Sequence, residues 1–389
     1  MPVDSPSLST ELVEKAHNIG ATIAGPAADA VDRDARFPTE GINALKKERM
    51  MSAFVPTEFG GLGCSVSDLS AICTALGQYC SATAMVYAMH QIQVACIVRH
   101  GQTSPYFKQY LTELTETEGL IASATSEIGV GGDVRSSICA VERDGDNYTL
   151  VKQAPVISYG EHADDILTTA RRAPDAASND QVIVMVRKAN RTLEPTGDWN
   201  TLGFRGTCSL GFKLSVKGKV EEIVPAPYAD ISSQTMLPIS HIVWTSFWLG
   251  IATNAVSRAR AYIRAEARKN PGKTPAASVR LAEVVSTLQT MRATVADATR
   301  EYERAMDDPD ALSSMAFAIR MNNLKLTCSK LVIDIVSQAL LICGMAGYKI
   351  NSPYSLSRHL RDAYGAAIMI NNDRIYGSNA AMLLVSKDD

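Results

Sequence analysis

The sequence predicts an α+β protein: an α-helical first third, a middle antiparallel β domain and a C-terminal helical bundle. Three observations carry this prediction. Apolar residues recur at helical spacing over 1–118, short β-prone runs between turn clusters fill 119–230, and helical periodicity returns over 231–389. With 389 residues, at roughly 150 per domain, the chain has room for two or three domains with substantial cores.

In the first segment, runs such as Leu69-Ser-Ala-Ile-Cys-Thr-Ala-Leu-Gly are interrupted by Phe37-Pro38, by Pro56 and by the Gly60-Gly61-Leu62-Gly63 turn. The middle segment contains Tyr148-Thr-Leu-Val and Val182-Ile-Val-Met-Val, which favour strands because β-branched and aromatic side chains suit a pleated surface. Asp144-Gly-Asp-Asn and Pro174-Asp-Ala-Ala-Ser-Asn-Asp supply the turns. In the last segment Leu281, Val284, Leu288, Met291 and Val295 step by three and four, as do Leu324, Cys328, Leu331, Ile335, Ala339 and Ile342. Stripes of that length require a bundle and extend readily into subunit contacts.

Charge and composition narrow the function classes. Lys plus Arg number 38 against 41 Asp plus Glu, a formal charge of −3 that offers no bulk attraction for nucleic acid or anionic lipid. The first residues show no basic region followed by an apolar stretch, so a cytoplasmic protein is expected. The most apolar window, Ile239 to Val256, is interrupted by His241, Ser246 and Asn254, which suits a buried helix better than a membrane span. Eight scattered cysteines without a Cys-x-x-Cys pair read as reduced, buried small hydrophobes, and no metal site is expected. There is no strand–helix alternation and no Gly-x-Gly-x-x-Gly, which argues against a nicotinamide-binding doubly wound sheet. Gly272-Lys273-Thr274 lacks the leading glycine of a phosphate loop, since position 267 is Ala.

Ordered motifs carry more. Asp34-Ala-Arg-Phe37-Pro38-Thr-Glu40 and Phe54-Val-Pro56-Thr-Glu58-Phe-Gly60-Gly61 come first, followed by Ser126-Glu127-Ile-Gly129-Val-Gly131-Gly132-Asp133-Val134 and Val156-Ile157-Ser158-Tyr159-Gly160. Trp199-Asn-Thr-Leu-Gly203-Phe-Arg205-Gly206 and Arg268-Lys-Asn-Pro271-Gly272-Lys273 follow, then Cys343-Gly344-Met-Ala-Gly347-Tyr348 and Arg358-His359-Leu360-Arg361-Asp362-Ala363. Glycines let backbone N–H groups approach an electron-rich ligand, and a guanidinium forks onto two phosphate oxygens.

In this order the motifs resemble those of the flavin-dependent acyl-CoA dehydrogenases over essentially the whole chain. The resemblance implies a C-terminal four-helix bundle and one non-covalent FAD per chain. Ser126, Gly131, Gly132 and Ser158 would bind its flavin half. Arg268 of a neighbouring subunit would reach its pyrophosphate, and Gly344 and Gly347 would touch its adenosine half, with Asn372 also among the cofactor contacts. A homotetramer built as a dimer of dimers is therefore expected. The substrate would be an acyl thioester on coenzyme A or a carrier, the partner an electron acceptor or a flavin reductase. Val156 and Pro271 replace aromatic residues usual in that family.

The departures concern the base. In the family a carboxylate removes the α-proton of the thioester. Its usual position falls here on Ile370, and the alternative position of a smaller branch falls on Ser240, so neither carries a carboxylate. Two substitutes are candidates: Asp373, one helical turn beyond Ile370 and so on its face, and His241, beside Ser240. Asp373 could instead be a surface partner of Arg374 or Lys387, and His241 an interior histidine. If dehydrogenation is not the reaction, a monooxygenase of the same fold using reduced flavin and oxygen is the alternative, with Ser158 and His90 as hydrogen-bond donors, followed by a non-catalytic descendant of the scaffold.

Overall fold

The computed structural model describes residues 8–269 and 271–386. The helical segment comprises α1 (Leu8–Ile19), α2 (Gly25–Arg33), α3 (Thr39–Lys47), α4 (Val66–Gly77), α5 (Ser81–His100) and α6 (Pro105–Thr117). A reciprocal cap starts α4: Ser65 Oγ accepts from the Asp68 N–H at 3.1 Å, and Asp68 accepts from the Ser65 N–H at 2.9 Å. Helix α5 is apolar around nearly its whole circumference and is accordingly buried on every side.

Seven strands follow: β1 (Ile121–Ala124), β2 (Glu142–Asp144), β3 (Asn147–Ala154), β4 (Asp165–Arg171), β5 (Gln181–Arg187), β6 (Arg191–Pro195) and β7 (Phe212–Lys219). They form two sheets, β1-β4-β5 and β2-β3-β7-β6. The second is antiparallel throughout, as the sequence predicts, but the first is mixed, because β1 pairs parallel with β4 from Ile121↔Asp165 to Ala124↔Thr168. A parallel pair needs a long crossover, and the chain spends that crossover on the glycine loop and the β2–β3 hairpin of the other sheet. Both β4 and β5 are buried on both faces, while β3 alternates exposed and buried residues.

The bundle consists of α8 (Leu237–Lys269), α9 (Ser278–Ala305), α11 (Met315–Cys343) and α13 (Ser357–Ile368), with short α7 (Tyr228–Ile231), α10 (Pro309–Ser313) and α12 (Met345–Tyr348) at its ends and α14 (Asn372–Leu383) after it. Helices α8 and α11 run parallel, since His241 meets Asn322 near their starts and Ile263 and Ile342 line one cavity near their ends. The segments Ser81–His100, Tyr228–Lys269 and Met315–Cys343 are long and apolar enough to cross a membrane, yet 94%, 94% and 50% of their most apolar windows are buried inside the protein. All eight cysteines are free, and only Cys208 is less than fully buried.

Candidate functional site

The glycine loop leaves β1 at Thr125. Gly129, Gly131 and Gly132 have φ of 97°, 58° and 75°, a region in which a side chain would be strained. Without a Cβ, such residues let the backbone approach an electron-rich ligand closely. The loop is held from beneath by Glu127, which is buried and accepts from Ser137 Oγ at 2.6 Å, from the Cys139 N–H at 2.6 Å and from the Ile138 N–H at 3.2 Å. Lys152 Nζ lies 3.5 Å from the same carboxylate and donates to the Thr169 carbonyl at 2.7 Å. Burial pulls the Lys152 ammonium below its usual range, with Glu127 opposing. Sequence reasoning missed this anchor, although a signal existed: Lys152 stands at an inward position of β3, in step with Tyr148, Leu150 and Ala154.

Ser126 Oγ donates to the Val156 carbonyl at 3.2 Å, tying the loop to the segment that carries Ser158. Ser158 receives a hydrogen bond from Ser209 Oγ at 2.8 Å, and Ser209 is itself 2.8 Å from Thr207 Oγ1. The hydroxyl is therefore oriented by Ser209, three residues past the Trp199–Gly206 motif. Tyr159 next to it adopts φ 45°, a left-handed conformation held by its N–H on the Thr207 carbonyl at 2.8 Å and its hydroxyl on the Ile121 carbonyl at 3.1 Å.

The facing wall is helical. His241 is 1% exposed, and its Nε2 meets Asn322 Oδ1 at 3.4 Å while Nδ1 has no partner among the described residues. Burial, with Lys325 adding to it, pushes the imidazole down to about 3, so it is neutral. Ser240 Oγ donates to the Met236 carbonyl at 2.5 Å. Lys325 of α11 is fully buried and donates to the Ile370 carbonyl, and to Asn372 Oδ1 at 2.6 Å. Asn372 also donates to Ser329 Oγ at 3.1 Å.

Helix α13 ends at Ile368 and α14 begins at Asn372, so the continuous turn that would bring Asp373 onto the face of Ile370 does not exist. Asp373 is exposed, its N–H capped by Asn371 Oδ1 at 2.7 Å. Arg374 reaches the carbonyls of Gly131 and Gly132 and so joins α14 to the glycine loop; Lys387 lies outside the described residues. His90 is not a free donor either. Its Nε2 donates to the Met51 carbonyl at 2.8 Å, its Nδ1 accepts from the Ile121 N–H at 3.0 Å, and burial lowers it to about 4.

Ser126, Gly131, Gly132, Ser158 and Asn372 thus belong to one region. Arg268, Gly344 and Gly347 do not join them within one chain. Arg268 is exposed at the last turn of α8, 27 residues from His241, which at about 1.5 Å per residue is roughly 40 Å away. Gly344 turns with φ 53° into open space at the end of α11, and a Cβ on Gly347 would stand 2.7 Å from Cys343 Cβ. Asp362 has a structural role: it is buried and accepts from Ser81 Oγ and from the Phe204 N–H at 2.7 Å. Arg361 pairs with Asp32.

The donors fit a flavin. The left-handed glycines bring no side chains of their own into the loop, and at Gly132 the space a Cβ would need is taken by the Arg374 guanidinium, 2.6 Å away. A glycine cradle and an oriented hydroxyl on a β domain, facing the wall of a helical bundle, define a three-domain flavoprotein oxidoreductase. The chain belongs to the acyl-CoA dehydrogenase family: residues 9–118 match the acyl-CoA dehydrogenase N-terminal domain and residues 232–371 the C-terminal domain. It is 23% identical to cyclohex-1-ene-1-carbonyl-CoA dehydrogenase of Syntrophus aciditrophicus over 94% of this chain and 86% of that protein. It is also 23% identical to the amino sugar nitrososynthase DnmZ of Streptomyces peucetius, over 87% of this chain and 84% of that protein. The FMN-bound structure of TdsC from Paenibacillus sp. A11-2 superposes with a TM-score of 0.84 at 16% identity, over 97% of this chain and 98% of that one. TdsC is described as a dibenzothiophene monooxygenase.

Proposed function

We propose that the protein is a flavin-dependent monooxygenase built on the acyl-CoA dehydrogenase fold, taking reducing equivalents from a separate flavin reductase. One observation carries this reading: the two carboxylate positions hold Ile370 and Ser240, and the ionisable groups behind them, Lys325 and His241, are nitrogen groups. A neutral, buried imidazole held near 3 is a weak base for removing an α-proton, and Asp373 is exposed beyond the helix break. The similarity to a nitrososynthase and to a dibenzothiophene monooxygenase supports the same reading.

Bound flavin would supply the redox chemistry. The chain's own part is to cradle it on Gly131 and Gly132, to present the Ser158 hydroxyl through Ser209, and to keep the helical wall closed to water. FAD, one per chain, is the cofactor proposed, with Arg268, Gly344 and Gly347 of a neighbouring copy completing its distal half in a homotetramer.

A second reading, α,β-dehydrogenation of an acyl thioester with electrons passed to a separate acceptor, is favoured by the similarity to a cyclohexenecarbonyl-CoA dehydrogenase. Anaerobic mixing of the flavin-loaded protein with a panel of acyl thioesters separates the two. No loss of flavin absorbance, together with substrate-dependent oxygen uptake once a flavin reductase is added, is the expected result. Bleaching by a thioester overturns it, and Asp373→Asn and His241→Gln then identify the base as the variant whose single-turnover rate falls about a hundredfold or more.

A further inference from the structure

Lys325 is a lysine with no exposed surface and, among the described residues, no carboxylate partner. Its neighbours are the Ile370 carbonyl, Asn372 and, one turn away on α11, Asn322, which holds His241. A buried ammonium costs several kcal/mol unless something offsets its charge. Here the partial offset is the turn that follows α13: the Ile370 carbonyl, two residues past the helix, and Asn372 Oδ1 both accept from the ammonium.

The same contact answers a second question. Met369-Ile370-Asn371-Asn372 contains neither Gly nor Pro; the asparagine pair is the local stop signal, and the side chain that holds the turn in place comes from another helix. Asn371 caps α14 once the chain has turned, but the group that holds the turn from outside is Lys325. Of the residues fixed by that turn, Asn372 faces α11, on Lys325 and Ser329, and Arg374 faces the glycine loop, on the carbonyls of Gly131 and Gly132.

We infer that Lys325 is a positioning residue that holds the turn between α13 and α14, anchors Asn372 to α11 and thereby aims Arg374 at the glycine loop. Its influence on flavin rests on the reading of that loop given above; its hold on the turn does not.

Lys325→Met removes the donors at similar volume, Lys325→Arg keeps charge and donors, and Asn372→Leu removes one acceptor. Amide hydrogen exchange over 369–374 in the full-length protein reads the turn directly. It is expected to accelerate about tenfold or more in Lys325→Met and in Asn372→Leu, with circular dichroism and oligomeric state unchanged, and to return to within about threefold of wild type in Lys325→Arg. Exchange within about twofold of wild type in the folded Met variant overturns the inference. If the Met variant does not fold, the Asn372→Leu result decides alone, in the same direction. Titration with FAD and FMN is the second readout: affinity about tenfold weaker, with a shifted bound-flavin spectrum, in Lys325→Met and recovery in Lys325→Arg. Unchanged affinity and spectrum overturn the link to the loop. A wild type that binds no flavin overturns the proposed function and leaves the exchange result to judge Lys325.

Discussion

His90, His100 and His241 each lose their solvation in the folded chain, and each is pushed down from 6.5, the first two to about 4 and the last to about 3. In all three, burial is the first cause. A histidine depressed in this way binds fewer protons folded than unfolded below about pH 6.5, so its stabilising contribution is complete above that pH and is lost as pH falls. Between pH 7.5 and 5.5 each is expected to cost on the order of 1 kcal/mol. Glu118 and Asp362 are shifted upward by burial and work with the opposite sign, mainly nearer the carboxylate range. The expected outcome is a urea midpoint that drops over those two pH units; a flat or rising midpoint would show that the imidazoles are hydrated or charged in the native state. At this scale the sequence was only partly legible. Ser158 was marked by its motif, whereas the Glu127–Lys152 anchor and the saturated ring of His90 depend on partners 25 and 31 or more positions away.

Packing between α4 and α8 relies on two glycines at their crossing. A Cβ on Gly250 would stand 2.5 Å from the Thr74 carbonyl and 2.8 Å from Gly77 Cα, and one on Gly77 would stand 2.4 Å from the Phe247 carbonyl. Alanine is the better helix former by up to about 1 kcal/mol, yet here it would have to push the backbones of both helices apart. Gly250→Ala is therefore expected to destabilise the protein by about 1–3 kcal/mol. Gly377→Ala in α14, with nothing within 4 Å of the added carbon, is the control and is expected to gain up to about 1 kcal/mol. Urea unfolding of both variants checks the pair, and equal effects would mean that the crossing relaxes freely. Helical periodicity announced α9 and α11 from the sequence, because a stripe at steps of three and four is a local property. The break between α13 and α14 and the parallel β1–β4 pair were not announced, since each is set by a contact across the fold.

For the whole molecule, large apolar side chains lie open toward the end of the chain: Tyr348 is 72%, Ile350 81%, Ile368 71% and Leu384 86% exposed. An accumulation of this kind marks a contact surface. It lies in the same region of the chain as Gly344 and Gly347, which follow the end of α11, at least 19 residues and roughly 28 Å beyond Lys325. The proposed homo-oligomer, in which one copy completes another's cofactor site, would cover these residues. Light scattering is expected to show a tetramer. Arg268→Ala is expected to weaken FAD binding about tenfold while leaving FMN affinity unchanged, because the lost pair is to the distal phosphate. A monomer that binds FAD tightly, or an equal loss for both flavins, would place Arg268 outside the site.

The sequence by itself determined the order of helical, sheet and helical segments, the glycine loop with its hydroxyls, and the absence of a carboxylate at positions 370 and 240. These are matters of residue type and short spacing, which periodicity and turn chemistry express directly. Tertiary structure alone decided that Lys325 stands behind Ile370, that His241 is sealed against Asn322, and that Arg374 closes on Gly131 and Gly132. Those pairs lie 45, 81 and more than 240 positions apart. No local preference encodes them, because burial is what makes an unpaired ammonium or a helix-end carbonyl costly, and the fold alone brings each to the partner that offsets the cost.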